Sequence, residues 1–490
     1  MRRRSAALPL IAASLLLAGC GLRVDHDTRQ SLLRSTLNQG STTTQAGGET
    51  TGGTTGDASS GTTGITSGGT TGTTGTTGTS GTSGTSGTSG TTSGKTSGTG
   101  GTGVPAPPGG NGGATDVGVT ATTLTVGTVV DQSGPRPGLF NGSLAGVRSY
   151  FAYINSKGGV FGRKLQTASA DSGTSCNQTA SAHQSLANKA FAYVGSFGVY
   201  DNCGAPFFNS NPKLADVSYA ISSERGAVKN NFSVQMQAGG AQAGPALVYK
   251  KIYPGIEKHL GALIADVAAS RSQWALMKNM YQKEGFTIAY EQFVSPTEVD
   301  YTRYVIGMRQ AGVDMAVVTN DISGEVKFVN AAEQQGWKPH VITTRAVFYD
   351  PAFKDLVSGN PTNVFSELGS ALYLNTEERV NPGVALYQDW MKKTAPDQAM
   401  DSFSVFGWCE AALFVQALEK AGPKATRASL LTALRGIHSI DTGGLLPSGD
   451  PAAKKATPCF VIAHWEGSAW KRWNSPSQGF DCGKPFVLAS

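Results

Sequence analysis

Long apolar runs are scarce in this 490-residue sequence, and so are charges. One apolar stretch stands out, Leu8 to Leu17, and it is too short to span a bilayer comfortably. Charged residues make up 15% of the chain, and the formal net charge of +6 includes Arg2, Arg3 and Arg4 at its start. The rest is mildly basic, with no basic stripe interleaved with aromatics, which argues against nucleic acid as a partner. The six histidines are scattered, and no H-E-x-x-H, C-x-x-C or G-x-S-x-G occurs. Zinc sites and the hydrolase nucleophile elbow therefore lack their signatures, and neither metal nor cofactor is expected. Ser468-Ala469-Trp470-Lys471 fits S-x-x-K, a serine acyl-enzyme pattern. Its partner motifs are missing, and it falls in an expected hairpin from Phe460 to Trp473 that turns at Glu466-Gly467. We read it as coincidence and the chain as a non-enzyme.

What is present begins with an export signal. The three arginines, the short apolar stretch and Leu17-Ala18-Gly19-Cys20 have the layout of a lipoprotein leader. Residues 1–19 are expected to be removed and Cys20 lipidated, which would hold the protein to the bilayer on the extracytoplasmic face. Each buried lipid CH₂ contributes roughly 0.8 kcal/mol to such an anchor. Residues 20–115 form the next unit, and from Gln39 to Asn111 they are almost wholly Gly, Thr and Ser, with charge only at Glu49, Asp57 and Lys95. So little apolar surface does not offset conformational entropy, so this stretch reads as a disordered tether. As a coil of roughly 70 residues it would span about 45–50 Å. A glycosylated stalk is the alternative, given the threonines.

The body from Asp116 onward alternates element types. Leu124 to Val130 reads as a buried strand. Phe140, Leu144, Val147, Phe151 and Ile154 fall on one helical face, closed by Gly158-Gly159. Lys164 to Ala170 is extended, Gln178 to Ala190 helical, and Phe191 to Gly195 a strand. The rhythm returns with strands at Gly261–Asp266, Phe286–Phe293 and Met315–Thr319, and helices at Ser272–Glu284 and Tyr301–Ala311. This alternation predicts an α/β fold with parallel sheets, whose ligands bind beyond the carboxyl ends of the strands. Of the remaining cysteines, Cys176 with Cys203 and Cys459 with Cys482 would each close a modest local loop. Such a disulfide is worth about 3–4 kcal/mol, although sequence alone does not fix the connectivity. Cys409, in the apolar helical run Trp408 to Phe414, reads as a buried small hydrophobe.

Val126-Gly127 through Gln132-Ser133-Gly134-Pro135, and then Asn155 to Leu165 with its Gly158-Gly159-Val160-Phe161-Gly162-Arg163-Lys164 core, resemble the opening of type I periplasmic binding proteins. The likeness is to the branched-chain amino acid and amide group that serves ABC importers. Asp171 to Cys176, with Cys203 further on, resembles that group's first-lobe disulfide. Phe403 to Gly422 and Thr426 to Leu431 resemble its late helices. The resemblance covers most of residues 117–440, and the last fifty residues depart from it. It implies two Rossmann-like lobes joined by a three-strand hinge: residues 116–241 plus about 368–445 as lobe 1, and 242–367 plus about 446–490 as lobe 2. It implies a monomer that closes on one small molecule (an amino acid, amide or small organic acid) and delivers it to an ABC permease. A sensor feeding a membrane receptor would use the same fold, and the sequence leaves the two open.

The resemblance also implies a site. Loops resembling Ser196–Tyr200 and Ser218–Ser223 would offer neutral donors to a ligand carboxylate, through Ser196, Phe197, Ser218, Tyr219 and Ala220, with Ser133 from the first loop. From lobe 2 would come Asn320, Asp321, Arg345 and Phe348. Amino-acid binders of the family pair the ligand ammonium with a carboxylate in this region. Asp321 is placed for that role, or for a helix N-cap before Ile322. A second acid is expected among Thr343 to Phe348, where this chain carries Arg345 instead. An arginine facing the cleft would favour an anionic or aromatic carboxylic ligand, since guanidinium clasps carboxylate bidentately. One facing solvent would carry no such meaning.

Overall fold

The computed structural model describes residues 103–235, 240–374, 380–473, 476–483 and 485–488. The expected leader, Cys20 and the Gly/Thr/Ser-rich stretch as far as residue 102 lie outside the described residues.

Two sheets organise the body. The first runs β2-β1-β3-β4-β5 and is wholly parallel: β1 (Thr123–Val130), β2 (Lys164–Asp171), β3 (Tyr193–Val194), β4 (Asp216–Val217) and β5 (Asn231–Phe232). In register, β1 pairs Thr123 with Lys164 through to Val130 with Asp171. Its β-branched residues are buried almost throughout, as a strand covered on both faces requires. After a two-stranded ribbon of β6 (Gly240–Gln242) and β14 (Phe486–Leu488), the second sheet runs β13-β12-β11-β10-β9-β7-β8. Its parallel part is β7 (Leu260–Ala265), β8 (Ile288–Val294), β9 (Met315–Thr319), β10 (Val341–Thr344) and β11 (Val364–Leu368). The expected hairpin is its antiparallel edge, β12 (Val461–Trp465) and β13 (Trp470–Trp473). Lys471 there pairs with Glu466 across the turn at 2.7 Å, and both Ser468 and Lys471 lie on the hairpin surface.

Between these elements the chain passes from one half to the other three times: after β5, after β11 and before β12. Two lobes with a three-segment hinge is thus the observed α/β architecture. The last fifty residues supply both the edge hairpin of the second sheet and β14.

Two helices fix the first lobe. Helix α1 (Asn141–Ser156) buries Leu144, Val147, Phe151 and Ile154 and stops where Gly158 and Gly159 take positive φ. Helix α2 (Ser402–Ala421) starts at a capping box, with Ser404 N–H donating to Asp401 Oδ1 at 2.8 Å and Asp401 N–H to Ser404 Oγ at 2.9 Å. The two pack so closely that a Cβ on Gly146 would strike the Ser404 carbonyl, and one on Gly407 the Ser143 carbonyl. Only glycine permits that approach.

The disulfides are Cys176–Cys203 and Cys459–Cys482, and Cys409 is a buried free thiol whose pKa burial pushes up. The folded body begins earlier than the composition implies. Residues expected to end the tether at 115 are docked on lobe 1, because the buried Arg163 guanidinium donates to the carbonyls of Asn111, Gly113, Thr120 and Pro423. Carbonyls of even a Gly-rich segment satisfy a buried cation that water no longer reaches. No helix among the described residues is long and apolar enough to cross a membrane.

Candidate ligand-binding cleft

The carboxyl ends of both parallel sheets face one cavity of about 260 Å³. Nearly every segment lining it follows a strand: Pro135–Leu139 after β1, Phe197–Tyr200 after β3, Tyr219 and Ile221 after β4, Val267 after β7, Pro296 after β8, Asn320–Asp321 after β9, Arg345–Val347 after β10, and Glu367–Gly369 at the end of β11. Ser402, Phe403 and Phe406 from the first turns of α2 complete the wall. Among the described residues, no His, Cys or Lys lines it, and no cluster of His, Cys, Asp or Glu has a metal-binding arrangement.

Buried acids hold these loops in place. Asp131, at the end of β1, accepts from Ser172 Oγ, Thr174 N–H and Val199 N–H. Asp201 accepts from Ile221 and Ser222 N–H. Burial raises the pKa of both, opposed by these same donors. In the second lobe Glu325 receives Asn320 N–H at 3.1 Å and Thr344 Oγ at 2.7 Å, tying the loop after β9 to the end of β10. Burial pushes its carboxyl well above the usual range.

The lobe 1 wall is aromatic. The rings of Phe197 and Tyr219 stack at 5.4 Å with 6° between planes, Tyr219 stacks on Phe406 at 4.6 Å, and Phe140 meets Phe403 edge-on at 4.7 Å. The lobe 2 wall is polar. Glu367 accepts from Thr343 Oγ at 2.9 Å, and burial lifts its pKa to about 7 against the nearby Arg345 charge. Across the cleft, Arg136 Nε of lobe 1 pairs with Asp321 Oδ2 of lobe 2 at 2.8 Å, and the same guanidinium donates to the Pro296 carbonyl. A second link between lobes runs from Ser223 N–H to Ser272 Oγ at 3.1 Å.

Of the residues expected at the site, Phe197, Tyr219, Asn320, Asp321 and Arg345 line this cleft. Five others do not. Ser196 is buried behind the wall, its Oγ taking Val129 N–H while its own N–H donates to Ser218 Oγ, so both hydroxyls serve the strand ends. Ala220 is buried as well. Ser133 turns to Asp171, which it caps with both side chain and backbone. Phe348 points into the second lobe, against Phe353 and Trp470; its neighbour Val347 faces the cleft. Asp321 does cap the following helix, with Gly324 N–H at 2.8 Å, and pairs with Arg136 besides. Sequence reasoning misses Arg136 and Glu367, although Arg136 follows Gly134-Pro135 in the same strand-end loop as Ser133. Phe403 and Phe406 carried no loop signal, because their spacing reads as helix core.

The periplasmic binding protein family matches residues 123–469. The Leu/Ile/Val-binding protein homolog 7 of Brucella suis is 23% identical over 316 residues, covering 60% of this chain and 76% of that protein. Among solved structures, a fatty acid ABC transporter substrate-binding protein from Thermomonospora curvata superposes with a TM-score of 0.63 at 20% identity, covering 78% of this chain and all of that one. A solute binding protein of an R. palustris ABC transporter, in complex with 4-hydroxybenzoate, gives 0.62 at 16% identity, covering 74% and 98%. Two lobes, a three-segment hinge, a cleft at the strand ends and a family match across most of the body agree: this chain belongs to the type I periplasmic binding proteins and is similar to the Leu/Ile/Val-binding protein homologues among them.

Proposed function

We propose that this protein is an extracytoplasmic solute-binding protein that captures one small molecule between its lobes and presents the closed form to an ABC importer. The observation that carries this reading is the cleft itself: loops from both lobes line one cavity, and the Arg136–Asp321 pair bridges the lobes across it. A ligand touching both walls favours the closed arrangement by its differential affinity for it. Family membership supports the same role. So do structural neighbours named as substrate-binding proteins of ABC transporters. Lipidation at Cys20, proposed from Leu17-Ala18-Gly19-Cys20, would keep the body at the membrane beside its permease.

Native mass spectrometry of protein purified without denaturation tests this reading, followed by melting against a panel of amino acids, amides, organic acids and sugars. One retained or added solute is expected to bind at a ratio of one. At a hundred times its dissociation constant it would stabilise the fold by about 2.7 kcal/mol. No retained mass and flat melting curves across the panel would refute capture.

A further inference from the structure

Four charged residues line the cleft: Arg136, Asp321, Arg345 and Glu367. The first two neutralise each other. Asp321 has one carboxylate oxygen on Gly324 N–H and the other on Arg136. Its neighbour Asn320 donates through its side-chain amide to the Tyr301 hydroxyl at 2.8 Å. The acid best placed to receive a ligand ammonium is therefore already charge-paired, with an arginine from the opposite lobe.

Arg345 is in a different position. It borders the cleft, and among the described residues its side chain forms no ion pair or hydrogen bond. Glu367, close by, is turned to the Thr343 hydroxyl, and burial raises its pKa to about 7, so much of it is uncharged near neutrality. A half-buried guanidinium that forms no ion pair, and whose neighbouring acid is only partly ionised, favours an anion, which it binds through two parallel N–H donors. The lobe 1 hydroxyls of Ser196 and Ser218, the other candidates for holding a carboxylate, are committed to backbone and to each other's strand. Anion recognition thus falls to lobe 2. Facing the same cleft, Phe140, Phe197, Tyr219, Phe403 and Phe406 form an apolar wall that gives polar groups few partners.

We propose that the cleft selects a monocarboxylate with an apolar body and no ammonium group, its carboxylate on Arg345 and its body against the Phe197–Tyr219–Phe406 stack. This rests on the solute-capture reading and narrows it. Arg136 takes the place that a ligand ammonium would fill on Asp321, and so contributes to closure what the ligand itself does not bring.

The test is calorimetric titration of the full chain, stripped of bound solute, with matched probes. These are 3-phenylpropionate and octanoate as simple acids, L-phenylalanine and L-leucine as their amino-acid counterparts, and 3-phenylpropanamide as the neutral form. One of the acids is expected to bind about tenfold or more tighter than the amide and the amino acids. Arg345→Met should weaken the acid by about a hundredfold and leave the amide unchanged. Arg345→Lys, which keeps the charge without the fork, should fall between and guards against a folding defect in the methionine variant. Tighter binding of an amino acid or the amide, or an Arg345→Met protein that holds the acid as well as before, would overturn the ligand class while leaving capture intact. Binding of no probe, with a sugar or amino acid found in the native protein, would overturn it too. A retained simple carboxylate would uphold it. Binding of no probe with no retained solute would sink this proposal and the capture reading together.

Discussion

Arg136 and Asp321 meet at 2.8 Å although they belong to different lobes, one following β1 and the other β9. Both side chains are mostly shielded from water, at 15% and 9% exposure, so the pair is screened less than a surface bridge. It makes the cleft's closure partly intrinsic to the chain.

Double-mutant analysis checks that coupling. Arg136→Gln and Asp321→Asn each remove the ion pair, and asparagine still caps the following helix. Each should widen the ligand-free protein in small-angle scattering. The double variant should be scarcely worse than either single one, with a coupling of about 0.5–3 kcal/mol in stability. Additive effects with an unchanged radius of gyration would show that the pair does not hold the lobes together.

Glu410 makes stability depend on pH. It lies in α2 and accepts from Ser233 Oγ and Val234 N–H, where the chain first leaves lobe 1. Burial raises its pKa to about 8. The folded state therefore keeps a proton that the unfolded chain has released above the ordinary carboxylate value, so this group's contribution is greatest at low pH. It is lost as pH rises from that value to about 8, by about 1.4 kcal/mol per unit of displacement. Glu410→Gln keeps an acceptor oxygen and cannot ionise. Its denaturation midpoint should fall less than the wild type's between pH 5 and pH 9; parallel curves would remove Glu410 from the account.

The α1–α2 contact predicts an intolerant position. Gly407→Ala places a methyl on the Ser143 carbonyl, which is backbone and cannot rotate away. Urea unfolding should show a loss of about 1–3 kcal/mol, or more if the helices separate. An unchanged midpoint would mean the two helices part more easily than their packing indicates.

The alternation of strands and helices, the hairpin near the C-terminus and the zone of the cleft were legible in the residues alone. These depend on local quantities: apolar spacing, β-branched runs, Gly stops and the rule that ligands lie beyond strand ends. The helix from Phe140 was legible because its apolar residues recur at helical spacing whatever surrounds them. The individual cleft residues were legible only by half: Phe197, Tyr219, Asn320, Asp321 and Arg345 line the cavity, and the other five expected residues do not. Phe197 faces the cavity and Ser196 does not, because neighbouring residues at a strand end point opposite ways and only the sheet's packing settles which is inward. Val347 and Phe348 divide as well, within the 3₁₀ turn that follows β10. The pairing of Arg136 with Asp321 was beyond local reading altogether, since it joins loops of two separate sheets. Whether Asp321 would meet a ligand or an arginine of its own chain was decided by how the lobes come together.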